Sequence, residues 1–172
     1  MDLKQFISVT EGFPKEGISF KDISPLLANG KAFRETVDAL AAKALPYRPD
    51  VIIGPEARGF VIGAPLAYAL GVGFVMARKK GKLPGDLDEA EYGLEYGSDT
   101  LFVEKGIIKP KAKVLIVDDL LATGGTAKAL VSLVKDLGAE PIAVLTIVEL
   151  TSLKGAEDFK PVPFESLVKY EK

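Results

Sequence analysis

Thirteen residues, Val114-Leu115-Ile116-Val117-Asp118-Asp119-Leu120-Leu121-Ala122-Thr123-Gly124-Gly125-Thr126, restrict the fold more than any other stretch of the chain. Residues 114–117 are apolar at every position rather than at alternate ones, the pattern of a strand covered on both faces of a parallel sheet. Two acids stand at its carboxyl end, a turn rich in Thr and Gly follows, and residues 127–137 continue with helical spacing. Strand, turn and helix in that order predict an α/β sheet whose ligand crevice lies beyond the carboxyl ends of its strands.

The turn residues Ala122, Thr123, Gly124, Gly125 and Thr126 suit an anion. Glycine lets the backbone approach closely, two hydroxyls can donate, and the N–H groups at a helix start carry the positive end of its dipole. Asp118 and Asp119 can accept hydrogen bonds from hydroxyls beside that anion, and their charge favours a cation forming there. Phosphate next to a diol is phosphoribosyl chemistry. Two other phosphate loops do not fit, because a Walker loop needs lysine after its glycines and Gly125 is followed by Thr126, while a dinucleotide loop needs three spaced glycines. The plain alternative is a strand-to-helix turn with two solvated acids.

The 172 residues suit one domain spanning 1–172. With no cysteine and no histidine, the chain has no disulfide, thiolate nucleophile, Cys-ligated metal or histidine triad, so proton chemistry falls to Asp, Glu, Lys, Arg and Tyr. A net charge of −2 argues against a general nucleic-acid binder. The first residues lack the basic start and apolar core of a signal peptide, and no apolar run is long enough for a membrane span, so a cytoplasmic location without membrane partners is expected.

Residues 31–45 place Phe33, Val37, Leu40, Ala41 and Ala44 on one helical face, with Pro46 and Pro49 closing the segment as a crossover helix. Residues 51–53, 59–70 and 73–77 read as strand, helix and strand, and residues 114–117, the helix to 137 and 142–148 as a second such unit. Together they predict a parallel sheet with helices on both faces. From 78 to 113 glycines, prolines and charges break the pattern, and only 100–104 reads as strand. A stretch that long and irregular reads as a lid, about 79–99, over the carboxyl edge. Residues 151–172 are expected to add a short helix and a strand in a mainly structural role.

Gly54-Pro55-Glu56-Ala57-Arg58-Gly59-Phe60 follows the first strand and Arg78-Lys79-Lys80-Gly81-Lys82 the second, so both basic groups converge on the same edge as the turn. Phe13-Pro14-Lys15-Glu16-Gly17-Ile18-Ser19-Phe20-Lys21-Asp22-Ile23 alone reads as a turn and a partly buried extended segment. Together with Tyr92-Gly93-Leu94-Glu95-Tyr96-Gly97, the Asp118 run and Pro163-Phe164-Glu165-Ser166-Leu167-Val168, these motifs resemble, in order and over nearly the whole length, the type I phosphoribosyltransferase family and its adenine-using branch.

The resemblance implies a central, mainly parallel sheet flanked by helices, with a small hood and a flexible lid loop. It also implies purine salvage by a homodimer: phosphoribosyl pyrophosphate (PRPP), adenine and Mg²⁺, giving AMP and pyrophosphate. Mg²⁺ would be carried by substrate oxygens rather than by protein ligands. By position, Ala122 to Thr126 would take the 5′-phosphate, Asp118 and Asp119 the ribose hydroxyls, and Arg58, Arg78, Lys79 and Lys82 the pyrophosphate. Backbone groups of Ser19 and Lys21 would meet the adenine edge while Phe20 and Leu120 sandwich the ring. Glu95 would face N7 and, with Arg58, serve catalysis. Three alternatives stay open: transfer to another purine, a non-enzymatic PRPP or nucleotide sensor on the same fold, and a poorly fitting receiver-like domain. Asp86, Asp88, Glu89 and Glu91 fall outside the resemblance and are expected either as a solvated tip or as an inward group opposing pyrophosphate or binding further Mg²⁺.

Overall fold

The computed structural model describes residues 1–94 and 97–172. A short 3₁₀ turn leads into an antiparallel hairpin of β1 (Ser8–Glu11) and β2 (Ser19–Asp22) that stands apart from the main sheet. Helices α1 (Ser24–Ala28) and α2 (Gly30–Ala44) then precede β3 (Val51–Pro55), α3 (Arg58–Leu70) and β4 (Gly73–Lys79). A second hairpin, β5 (Leu87–Leu94) and β6 (Gly97–Glu104), is followed by β7 (Lys113–Leu121), α4 (Gly125–Asp136), β8 (Glu140–Leu150) and β9 (Phe164–Tyr170). The main sheet runs β5-β6-β4-β3-β7-β8-β9, parallel from β4 to β9 and antiparallel where β6 meets β4 and β5.

Residues 114–117 are indeed covered on both faces, all at 1% exposure or less. Alternation divides them: Val114 and Ile116 join Ile53, Val144 and α4, while Leu115 and Val117 join Ile52, Leu145, α2 and α3. Side chains of this size stabilise by about 1.5–3 kcal/mol each when fully buried, so the two-sided β7 is the anchor of the core.

α2 starts where Asn29 accepts a hydrogen bond from the Ala32 N–H at 2.9 Å. Its buried stripe is Ala32, Thr36, Leu40 and Ala44, so the expected Phe33, Val37 and Ala41 lie one residue, or about 100° of helix, off its centre. Small residues occupy the line of closest approach, and Phe33 and Ala41 pack at its margin.

The expectation of irregular structure between 78 and 113 is wrong. The β5–β6 hairpin extends the sheet, with Arg78 opposite Phe102 and Lys79 opposite Leu101, and buries Ala90, Leu101 and Val103 on the α4 side. Its sequence hides it because β5 is an edge strand. Asp88, Glu89 and Glu91 sit on that strand, where charge discourages pairing with another chain, and their composition imitates a loop. In the tail, two 3₁₀ turns (Thr151–Leu153 and Gly155–Phe159) replace the expected helix, and β9 is the expected strand.

Candidate active site

Strand order reverses between β3 and β7: the chain leaves β3 through α3 toward β4, and β7 through α4 toward β8 on the other side. The two helices pack on opposite faces, so a crevice opens at the carboxyl ends of β3 and β7. It is a cleft of about 200 Å³ lined by Arg58, Asp118, Asp119, Leu120, Leu121, Ala122 to Ala127 and Thr146. The residues expected to hold ribose and 5′-phosphate therefore share one wall with Arg58 and Leu120.

Both acids belong to β7, which runs four residues past its apolar run to Leu121. Asp118 accepts the Asp119 N–H at 2.8 Å, and Arg58 Nε stands 3.1 Å from Asp119 Oδ2. That ion pair is not aligned as a hydrogen bond, so the buried Asp119 Oδ2 still has an acceptor site to offer. Burial, then the neighbouring Asp119 charge, pushes the Asp118 carboxyl well above the usual carboxylate range, with the Asp119 N–H and Arg58 pulling the other way. A group raised in this way holds its proton longer folded than unfolded, so its ionisation costs stability as pH rises from the unfolded value toward the folded one. Asp118→Asn is expected to raise the Tm of the substrate-free protein at neutral pH by about 2–4 °C and to flatten its pH dependence above pH 4, read by calorimetry. A lower Tm at neutral pH would contradict the assignment.

Gly124, at φ 86°, opens α4 without a side-chain cap, and α3 behind Ala57 has none either, whereas α2, away from the cleft, is capped by Asn29. The first-turn N–H groups of α4 are thus left for a ligand in the cleft. The turn is held from beneath by the tail: a Cβ on Gly155 would fall 2.5 Å from the Ala122 oxygen and 3.0 Å from the Gly124 nitrogen.

The other basic residues lie beside the cleft rather than in its lining. Arg78 Nε is 3.4 Å from Glu56 Oε1, and the same oxygen accepts the Lys79 N–H at 2.5 Å. Lys82 sits exposed in the turn after β4, where its N–H donates to the Lys79 oxygen at 3.3 Å.

Phe20 reaches back from the β1–β2 hairpin, with the Arg58 guanidinium 5.7 Å from its ring centroid and Phe13 edge-on at 5.2 Å. The Gly12 N–H donates to the Ile18 oxygen at 2.7 Å, so residues 18, 20 and 22 turn their backbone groups toward β1. Ser19 and Lys21 turn theirs to the free edge, and their side chains leave on the face opposite Phe20.

The sequence of residues 26–169 matches the family model described as the phosphoribosyl transferase domain. A Clostridium tetani adenine phosphoribosyltransferase is 52% identical over 171 residues, 99% of each chain. The crystal structure of adenine phosphoribosyltransferase from Thermoanaerobacter pseudethanolicus superposes with a TM-score of 0.95 at 46% identity, covering 98% of each chain. That of the Saccharomyces cerevisiae enzyme, complexed with an imino-altritol bisphosphate and adenine, gives 0.92 at 40% identity over 96% of each. The chain belongs to the adenine phosphoribosyltransferase family.

Within the frame of that family, three contributors to the site escaped the reading of the sequence. Glu56 was in view inside the Arg58 motif but carried no role, and it ties β3 to the basic end of β4. Thr146 sits in the buried stretch 143–148 of β8, its hydroxyl donating to the Val148 oxygen at 2.8 Å. Gly155 lies in a tail that offered no local signal. Glu95, the expected proton-handling group, lies outside the described residues.

Proposed function

We propose that the protein transfers the 5-phosphoribosyl group of PRPP to N9 of adenine, giving AMP and pyrophosphate. The observation that carries this reading is the uncapped start of α4 beside the Asp118–Asp119 pair in one cleft, a phosphate seat next to hydroxyl acceptors. Ala122 to Thr126 hold the 5′-phosphate and the two acids hold the ribose hydroxyls. As the C1–O bond to pyrophosphate loosens, the carboxylates stabilise the cation-like ribose, and Arg58, Arg78, Lys79 and Lys82 take up charge on the leaving group. Arg58 then exchanges Asp119 for pyrophosphate and Arg78 exchanges Glu56. N9 attacks C1 as the C1–O bond to pyrophosphate breaks, and the proton that adenine gives up passes to Glu95 at N7. Closing the 79–99 segment over the site, as a paired hairpin rather than the irregular loop expected, would exclude water that hydrolyses PRPP.

Adenine lies between Phe20 and Leu120, its edge read by the outward backbone groups of Ser19 and Lys21. Fixed peptide groups match the 6-amino group, and a 6-oxo purine would leave them unpaired. Mg²⁺ would be carried mainly by PRPP oxygens and water, as a hard cation that keeps much of its hydration and binds substrate phosphates. When bound, the ion neutralises diphosphate charge. A homodimer is supported by α3, which is apolar all round and leaves Val61 at 41% and Tyr68 at 90% exposure beside Met76 at 45%. A cytoplasmic site of action suits a chain without cysteine.

Mixing the protein with PRPP, Mg²⁺ and adenine should yield AMP and pyrophosphate in equal amounts, and chelation should stop both. Pyrophosphate release that is independent of adenine, or none at all, would contradict the reading, and PRPP binding without turnover would favour a sensor. Glu95→Gln should keep PRPP affinity but lower kcat by about 10²-fold or more, the scale of a lost acid–base group. An unchanged kcat would remove Glu95 from the mechanism. Sedimentation should show a dimer that Tyr68→Glu dissociates, and a monomeric wild type would exclude it.

A further inference from the structure

The β1–β2 hairpin carries Phe20 and the base-reading edge, yet among the described residues it pairs with no strand of the main sheet. Behind it lies a cavity of about 1310 Å³, reaching to Leu150 and Tyr170 at the ends of β8 and β9 and to Leu153 in the turn after β8, so close packing does not hold the hairpin on this side. One long side chain crosses the gap. Lys21 is only 4% exposed, and among the described residues no carboxylate pairs with its ammonium. Its Nζ donates to the Ser19 oxygen at 3.3 Å and to Ser19 Oγ, which in turn donates to Glu11 Oε1 at 2.8 Å. The same Nζ stands 5.0 Å from the Tyr170 ring centroid, and Lys4 Nζ from the N-terminal turn approaches that ring at 4.9 Å. Burying an ammonium without a counter-charge is costly, so this lysine is a poor choice for filling space and a good one for a directional tie.

We propose that Lys21 is a positioning residue for base recognition: its side chain, seated on Tyr170 and Ser19, fixes the hairpin so that the backbone edge of residues 19 and 21 faces the base. The inference rests on the adenine reading above and separates two uses of one residue, backbone toward the base and ammonium toward β9. The ring, not the phenol oxygen, is the acceptor, since a cation–π contact needs only the aromatic face.

The test compares Lys21→Met, which keeps the stem and removes the charge, with Tyr170→Leu and Tyr170→Phe. Lys21→Met and Tyr170→Leu should each raise KM for adenine by about 3–30-fold, the factor one desolvated cation–π contact is worth, with KM for PRPP unchanged. Tyr170→Phe should match the wild type. Amide exchange at residues 20 and 22, whose N–H groups face β1, should quicken in the first two variants only. An unchanged adenine KM in both, a parallel rise in PRPP KM, or a Phe variant as impaired as the Leu variant would overturn the proposal. If Lys21→Met does not fold, the two Tyr170 variants decide. A wild type without adenine turnover would sink the base reading instead, and amide exchange would still judge the anchor.

Discussion

Replacing Asp118 and Asp119 together by Asn should lower kcat/KM by about 10³-fold or more while leaving the fold intact. The change keeps the size of both side chains, and β7 is held by the two-sided burial of residues 114–117 rather than by its acids. In the proposed site, what would be lost is negative charge where the ribose becomes cation-like, together with the acceptors for its hydroxyls. One preorganised electrostatic group is worth about 10²–10³ in rate, and two that act as a unit are not expected to add independently. Removing Asp119 also frees Arg58, which stands 3.1 Å from it, so phosphate affinity should hold or improve. Steady-state kinetics with far-UV circular dichroism reads both effects. Near-normal turnover by a folded double variant would refute the ribose assignment.

Gly124→Ala should weaken PRPP and AMP binding by about tenfold or more and also destabilise the protein. A methyl there would lie 2.8 Å from the Gly155 carbonyl carbon and 3.0 Å from its Cα, and these are backbone atoms that no side-chain rotation can move. The residue also sits at φ 86°, a region that costs an alanine energy. Overpacking of this kind costs about 1–3 kcal/mol, or roughly 2–12 °C of Tm in a chain of this size. Relief would require the turn to lift off the tail, and the turn is what aims the α4 amides. Calorimetry with AMP titration checks both parts, and wild-type affinity in the variant would show that the turn does not hold phosphate.

The site was more legible in the sequence than its surroundings, for a physical reason. The Asp118 run carries strand, acids, turn and helix start in consecutive residues, so local rules suffice to place them around one cleft. Arg58 was readable because it follows a strand whose neighbour is β7. The β5–β6 hairpin was not, because an edge strand carrying Asp88, Glu89 and Glu91 has the composition of a loop, and its pairing with β4 is set by tertiary contact. Gly155 was beyond reach for a similar reason: its closeness to Gly124 joins residues 31 positions apart and leaves no periodic trace. Of the α2 residues expected on one face, Leu40 and Ala44 are buried, while Phe33, Val37 and Ala41 sit at the margin because helical spacing alone does not say whether small residues or large ones face the core, and here Ala32 and Thr36 do.

The proposed recognition of the base by peptide groups of Ser19 and Lys21, with ribose and phosphate at Asp118 to Thr126, makes one demand that a single assay meets. Nucleotide formed from PRPP and Mg²⁺ is measured with adenine, guanine, hypoxanthine and xanthine offered separately. AMP should form from adenine, with the 6-oxo purines slower by at least about 10²-fold in kcat/KM, since each would leave buried polar groups unpaired. Equal or faster turnover of a 6-oxo purine would contradict the proposed recognition.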